Sequence, residues 1–204
     1  MSVYRETDAP APTGANREAI IGAAAAAIAR SGVRGMRIEE VAAAAGVSPG
    51  LLYYHFDSRA GLVRAALERA SEQAPSTRLA ADPAGENGYS SLEAALLGEL
   101  DDDEAVRQAA IVWGEVSASA VFDPELQGAV RKVTEDWRAR VAAGIRVGIA
   151  DGSIDAGINP DQSADVLISL VDGLCTRWLT GALPRDQARR LLSEALGQTL
   201  RHRD

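Results

Sequence analysis

Apolar residues recur every three or four positions along most of the chain, which is the spacing of helices rather than strands. The first such stretch predicts a helix over about residues 17–31, which starts after a candidate N-cap at Asn16 and ends at Ser31-Gly32. Three more helices are predicted soon after it, at about residues 37–45, from residue 49, and at residues 59–73. The pattern therefore predicts a closely packed helical unit at this end of the chain.

Capping residues mark the ends of these helices. Gly46 tolerates the left-handed conformation that ends a helix, so we expect it to end the second one. Ser48 and Pro49 fit the N-cap and the first residue of the third helix, and Ser58 fits the N-cap of the fourth. Leu52 and Phe56 lie four residues apart, which gives the third helix one buried side.

The rest of the chain continues the helical pattern after a break. Residues 75–88 are rich in Pro, Gly and Asn, which predicts a loop and a domain boundary. Ser90 and Glu93 then form a predicted capping box. Later helices are expected to begin at Asp123-Pro124 and at Asn159-Pro160, and the last to span residues 185–201.

These patterns predict an all-α fold of about nine helices, with no convincing strand. The first residues lack apolar periodicity and read as a mobile tail. We therefore expect a tail at residues 1–15, a first unit at 16–74 and a second unit at 75–204.

Composition narrows the chemistry. With a single cysteine, Cys175, and two histidines, the chain can form no internal disulfide and is a poor candidate for a Cys/His zinc site. No apolar run approaches the length of a membrane span, and the Ala-rich residues 19–29 lack the features of a signal peptide. We expect a cytoplasmic protein without a metal, a cofactor or a membrane segment.

The charge is divided unequally along the chain. The net charge is -8, which taken alone argues against a nucleic-acid partner. However, residues 16–64 carry six arginines against four acidic residues, whereas residues 65–204 carry 14 basic against 23 acidic residues. A mildly basic first unit is thus joined to an acidic second unit.

Residues 46–50, Gly-Val-Ser-Pro-Gly, fit the G-x-S-x-G pattern of a hydrolase nucleophile elbow, with Ser48 as the nucleophile and His55 or His202 as its base. That elbow requires a strand that enters the turn, and here the preceding residues predict a helix. The competing interpretation is a helix-turn-helix, in which the third helix enters the major groove of DNA. Its Tyr53, Tyr54 and His55 could then donate to phosphate oxygens, although aromatic residues at helical spacing are also common in cores.

The same stretch resembles the TetR family of bacterial transcription regulators. Ala45-Gly46-Val47-Ser48, Gly50, residues 52–56 (Leu-Tyr-Tyr-His-Phe) and Ser58-Arg59 match the family's pattern in order and spacing. The family often has Thr where this chain has Arg37, and usually Lys where it has Arg59. The resemblance implies a set of DNA-contacting residues: Arg37, Ser48, Pro49, Gly50, Leu51, Tyr53, Tyr54, His55 and Arg59.

In the acidic half, residues 123–155 and 159–181 are similar to the C-terminal domains of BetI-like members of that family. The resemblance implies a homodimer through the last two helices, at about 161–180 and 185–201, and a small-molecule cavity in each subunit. Candidate cavity residues are Trp113, Trp137, Cys175 and Trp178, for which core packing is the alternative. Glu115 and Asp172 could hold a cationic ligand or lie exposed, and the sequence does not distinguish these two alternatives.

The combined expectation is a ligand-responsive regulator, acting as a repressor. Its homodimer would bind an inverted-repeat operator in double-stranded DNA and release it when a small-molecule effector binds. The fourth helix would link the two sites. Two alternatives stay open at this point: a hydrolase that uses Ser48, and an all-α interaction module that does not bind DNA.

Overall fold

The computed structural model describes residues 14–80 and 87–200, which form nine α-helices, one short 3₁₀ helix and no strand. The helices are α1 (Gly14–Gly35), α2 (Ile38–Ala44), α3 (Pro49–His55), α4 (Arg59–Gln73), the 3₁₀ helix (Pro75–Ala80), α5 (Gly88–Gly98), α6 (Glu104–Ala120), α7 (Pro124–Ala150), α8 (Pro160–Leu179) and α9 (Arg185–Leu200). The all-α prediction is confirmed. The predicted tail lies outside the described residues, except for Gly14 and Ala15, which belong to α1, and His202 also lies outside them.

Most of the predicted helix ends are confirmed, because the capping side chains make the expected bonds. Gly46 follows α2 with φ 68°. The Oγ atoms of Ser48 and Ser58 accept hydrogen bonds from the amides of Leu51 (3.2 Å) and Gly61 (3.0 Å). Two later N-caps, Asp123 of α7 and Asn159 of α8, likewise accept backbone N–H groups of the first turns that they precede.

Helix α1 differs from its prediction at both ends. It begins at Gly14, so Asn16 lies inside it and is not its N-cap. It also continues to Gly35, with a break at Gly32, where φ is 73° and ψ is 168°. The sequence located the break correctly, since glycine adopts this conformation at little cost. It gave no sign of the extra turn that follows, which is held by contacts with other helices.

The segment after α4 is also more regular than predicted. Residues 75–80 form a 3₁₀ helix rather than a loop. The predicted Ser90–Glu93 capping box is wrong: Asn87 is the N-cap of α5, and Ser90 is its partner within the box. The amide of Ser90 donates to Asn87 Oδ1 at 2.9 Å, and the amide of Asn87 donates to Ser90 Oγ at 3.3 Å.

The buried apolar residues form two cores, and α7 contributes to both of them. The first core is built from α1 to α4, together with Val112 and Val116 of α6 and Leu126 and Val133 of α7. The second core is built from α5, the later part of α7, α8 and α9. Side-chain packing therefore crosses the domain boundary that the sequence places near residue 75, because α6 packs against both α1 and α4.

Within the described residues, none of the helices is both long and apolar enough to cross a lipid bilayer.

The left-handed turn at Gly46 predicts a specific effect on stability. An Ala at this position would meet no neighbouring atom but would have to adopt a positive φ, so Gly46→Ala should lower the free energy of unfolding by about 1–2 kcal/mol. Gly22→Ala is the matched control: it lies in α1, has equal space, and should raise the free energy of unfolding by roughly 0.5–1 kcal/mol. Urea denaturation of the full chain measures both; equal stabilities would contradict the prediction.

Candidate DNA-binding surface and ligand cavity

Helices α2 and α3 form a helix-turn-helix whose second helix has one buried and one exposed side. Leu52 and Phe56 of α3 are almost completely buried in the first core. The opposite side begins with Ser48, Pro49 and Gly50, which are all exposed. Because the front of α3 carries only small side chains, its backbone can come close to a flat or grooved partner.

Tyr53 and Tyr54 lie on the exposed side of α3. Their side chains are 52% and 70% exposed, so the core-packing alternative does not hold for these two residues. Leu51 is half-buried between the two sides. Two neighbouring exposed aromatic rings on one side of a short helix make this side a candidate binding surface.

His55 is placed differently from the tyrosines. Its ring is half-buried, at an edge-to-face angle to Tyr54 with 5.6 Å between centroids and 6.3 Å from the ring of Phe56. Its Nε2 atom is buried and has no hydrogen-bond partner among the described residues. A phosphate contact by this nitrogen would therefore need the ring to turn outward.

The two candidate arginines also differ. Arg37 is highly exposed at the start of α2, with its Nε 3.9 Å from a carboxylate oxygen of Glu40. It provides no side-chain cap, as expected for a residue without an acceptor. Arg59 is half-buried, and its Nη2 donates to the carbonyl of Val33 and to that of Met36 at 3.0 Å. Any phosphate contact by Arg59 must therefore use its other nitrogens.

The described residues around Ser48 do not form the geometry of a hydrolase site. The chain enters the Gly46 turn from helix α2, whereas a nucleophile elbow needs a strand there. The Oγ of Ser48 accepts the Leu51 amide as the cap of α3. His55 lies at the far end of α3, and its Nε2 is buried without a partner among the described residues.

A cavity lies among α4, α6, α7 and α8. Its volume of about 620 Å³ is typical of small-molecule sites. Trp113 and Trp137 line it, with their rings edge-to-face and 6.3 Å between centroids. Cys175 lines it as well. Trp178 does not: its ring lies under the guanidinium of Arg107, 5.2 Å from the centroid, so this one cavity prediction does not fit the structure.

The charged groups of the cavity are mainly acidic. Glu99, Glu115 and Asp172 line it, against the single guanidinium of Arg140. Burial raises the pKa of Asp172 to about 6, although Trp113 Nε1 donates to its Oδ1 at 2.9 Å. Burial also raises the pKa of Glu99, which accepts the amide of Ser76 at 3.0 Å. The cavity therefore holds carboxyl groups whose ionised forms are poorly compensated by the protein.

Two further groups complete the wall. Desolvation lowers the pKa of Arg140, whose Nε has no hydrogen-bond partner among the described residues. Burial raises the pKa of Cys175 to about 12, and its thiol donates to the carbonyl of Glu99 at 3.5 Å, so it behaves as a small buried side chain rather than a reactive thiol. In the described parts of the chain, no group of His, Cys, Asp and Glu is arranged to hold a metal ion.

Sequence reasoning missed Glu99 and Arg140 and left Glu115 and Asp172 undecided. These polar residues lie on amphipathic helices or, for Glu99, directly after one, and the helical pattern assigns such residues to solvent by default. The cavity is formed between helices that are distant in sequence, so no local signal could identify them. Glu115 lines the cavity and is also exposed, and it accepts a hydrogen bond from the amide of Val33 at 3.2 Å, in the turn that follows Gly32.

The outer sides of α8 and α9 expose large apolar side chains. Val166 of α8 is 53% exposed and Leu191 of α9 is 41% exposed. The opposite sides of both helices are buried in the second core. Two exposed apolar residues on neighbouring long helices are consistent with a protein–protein contact.

Comparison with known proteins agrees with this geometry. Residues 20–66 match the family model of bacterial regulatory proteins of the tetR family, and residues 89–201 match that of the C-terminal part of BetI-type transcriptional repressors. No curated protein matches the chain at a significant level.

Solved structures give the same result over nearly the whole chain. A protein from Rhodococcus sp. described as a TetR-family transcriptional regulator is 37% identical, with a TM-score of 0.85 over 92% of this chain and 100% of its own. A regulator from Saccharomonospora viridis, solved in complex with choline, is 25% identical, with a TM-score of 0.80 over 94% of this chain and 100% of its own. The chain therefore belongs to the TetR family of transcriptional regulators.

Proposed function

We propose that this chain is a ligand-responsive repressor that binds an inverted-repeat operator as a homodimer and releases it when a small molecule enters the cavity. The observation that carries the proposal is that α4 and α6 both line the cavity and pack into the core that holds α3. A change in the cavity can therefore reach the DNA-binding surface through two helices. A ligand has this effect only if it binds one arrangement of these helices more tightly than the other.

The exposed side of α3 is the proposed reading surface. Ser48, Pro49 and Gly50 let the front of α3 approach the major groove, and the hydroxyls of Tyr53 and Tyr54 meet phosphates or base edges. Arg37 adds a phosphate contact from the start of α2. In a two-fold dimer these surfaces would meet half-sites about one turn of DNA apart, roughly 34 Å.

The proposed dimer forms through α8 and α9. Their outward sides carry Val166 and Leu191, whose burial against a second copy would remove apolar surface from water. Antiparallel packing of two such helix pairs would form a four-helix bundle. This arrangement leaves α3 of each subunit free.

The proposed effector is a small organic cation. The cavity wall contains three carboxyl groups and two indole rings but a single guanidinium. A quaternary ammonium group is attracted both by carboxylates and by indole faces. Such a cation would compensate the ionised form of Asp172, whose burial opposes ionisation. The choline complex of the related Saccharomonospora viridis regulator supports this class of ligand.

Operator binding should depend on Arg37 and Tyr53. Tyr53→Phe removes one hydroxyl and should weaken operator binding several-fold, whereas Arg37→Ala should reduce the slope of log K against log salt by about two, since a dimer would lose two phosphate contacts. Arg131→Ala, an exposed arginine of α7, is the control. Footprinting and titration on DNA that flanks the chain's own gene measure these effects, and unchanged affinity and slope would refute the site. Absence of any DNA binding by the unchanged protein would favour an interaction module instead.

Dimerisation should depend on the outer side of α9. Leu191→Glu places a charge in the proposed apolar contact and should convert the dimer to a monomer at micromolar concentration. Val121→Glu is the matched control, because Val121 is also an exposed apolar residue but lies in the turn between α6 and α7. Sedimentation equilibrium measures the association; a dimer that survives Leu191→Glu but not Val121→Glu would place the interface elsewhere.

Cation binding should weaken at low pH because it requires ionised Asp172. With a pKa of about 6, this carboxyl is mostly ionised at pH 7.5 and mostly protonated at pH 5. The affinity for choline, measured by calorimetry, should therefore fall roughly tenfold between these values. Asp172→Asn should show the low affinity at both pH values, while Asp186→Asn on the exposed part of α9 should behave like the unchanged protein. Equal choline affinity in Asp172→Asn would contradict this role.

A further inference from the structure

The turn that follows the break in α1 is held by two charged side chains from opposite directions. The amide of Val33 donates to Oε2 of Glu115 at 3.2 Å, and the carbonyl of the same residue accepts from Nη2 of Arg59. Val33 itself is buried. Both backbone polar groups of Val33 thus bond to side chains of other helices.

The two side chains lead to the two functional sites. Arg59 is the first residue of α4, four residues after the end of α3, and it also donates to the carbonyl of Met36 just before α2. Glu115 belongs to α6 and lines the ligand cavity. The path from the cavity to the helix-turn-helix therefore runs through one carboxylate, one residue of backbone and one guanidinium.

Gly32 keeps this contact close. Oε2 of Glu115 lies 2.6 Å from the point that a Cβ atom would occupy on Gly32, where φ is 73°. A side chain at this position would push the end of the Glu115 side chain away from the Val33 amide, and the positive φ would strain it independently. Glycine therefore leaves room for the contact between the carboxylate and this turn.

We propose that Glu115 is the positioning residue through which the cavity controls the DNA-binding unit. This inference rests on the proposed function. A cationic group in the cavity competes with the Val33 amide for the carboxylate of Glu115; when the cation wins, the turn between α1 and α2 loses one of its two anchors. The helix-turn-helix then leaves the position that fits the operator, and release follows from a single exchanged contact.

A cation built into the cavity wall tests this without any effector. Ala118 lines the cavity, is exposed, and lies three residues after Glu115 on α6, which is the spacing at which Lys and Glu side chains pair. Ala118→Lys should draw the carboxylate away from Val33, whereas Ala118→Met adds similar bulk without charge. The readout is hydrogen exchange of the Val33 amide, with amides of α8 as an internal reference.

The expected exchange rates separate the variants. Glu115→Ala should accelerate exchange at Val33 roughly tenfold, since it removes a bond to a charged acceptor. Glu115→Gln keeps an acceptor and should have a smaller effect. Ala118→Lys should accelerate exchange, Ala118→Met should not, and Ala118→Lys should add nothing in a Glu115→Gln background. Glu104→Gln, an exposed acid at the start of α6, should have no effect.

The operator affinities should follow the same order, with Glu115→Ala and Ala118→Lys the weakest binders. The inference is overturned if Val33 exchange is unchanged in Glu115→Ala, or if Ala118→Lys and Ala118→Met exchange alike. It is also overturned if exchange changes as expected while operator affinity does not. The exchange measurement needs neither DNA nor effector. If the protein bound no DNA at all, the proposed function would be refuted, and the exchange rates would still show whether Glu115 holds the Val33 amide.

Discussion

The packing of α6 between the two halves of the molecule is the constraint on which the rest of the structure depends. One side of α6 buries Val112, Val116 and Ala120 in the core formed with α1 and α4. An adjacent side of the same helix presents Trp113 and further residues to the cavity. A rigid helix cannot change its exposure to the cavity without changing its contacts with α1 and α4, since close-packed cores transmit small shifts. The fold thus joins the two sites before any specific polar contact is considered.

The polar groups of the cavity determine which ligands could act on the helices that join the cavity to the helix-turn-helix. The acidic cavity groups are only partly compensated: Asp172 accepts from one indole, burial outweighs the stabilisation of Glu99 by Ser76 and Arg140, and Glu115 is shared with the turn after Gly32. An apolar wall alone would accept many ligands of suitable size. Poorly compensated carboxyl groups favour ligands that bring positive charge, and they oppose neutral ligands that would bury them further. Under the proposed function, selectivity and response would both depend on the same few carboxylates.

The sequence was sufficient for the features that depend on local chemistry. Gly46, Ser48 and Ser58 specify helix ends through backbone conformation and capping, and the structure confirms each of them. It was insufficient where distant segments meet. The N-cap of α5 is Asn87 and not Ser90. Both residues are good caps, so nothing in the local pattern indicates which of them starts the helix. Arg59 bonds to the Val33 carbonyl from 26 residues away, and Glu115 bonds to the Val33 amide from 82 residues away. Periodicity along the chain cannot reveal contacts between such distant residues.

The G-x-S-x-G pattern at residues 46–50 suggests an enzyme, and the net charge of -8 suggests a protein that does not bind DNA. Both suggestions fail because they ignore where these residues lie in the structure and along the chain. Residues 16–64 carry a small excess of arginine, and the acidic residues are concentrated in the second half of the chain. A small basic surface gives weak non-specific binding, because that binding grows with the number of phosphates neutralised. An acidic body repels DNA in every other orientation. For a regulator that binds one DNA sequence among many competing sites, weak non-specific affinity increases the fraction bound at that sequence, so a negative net charge is compatible with specific DNA binding.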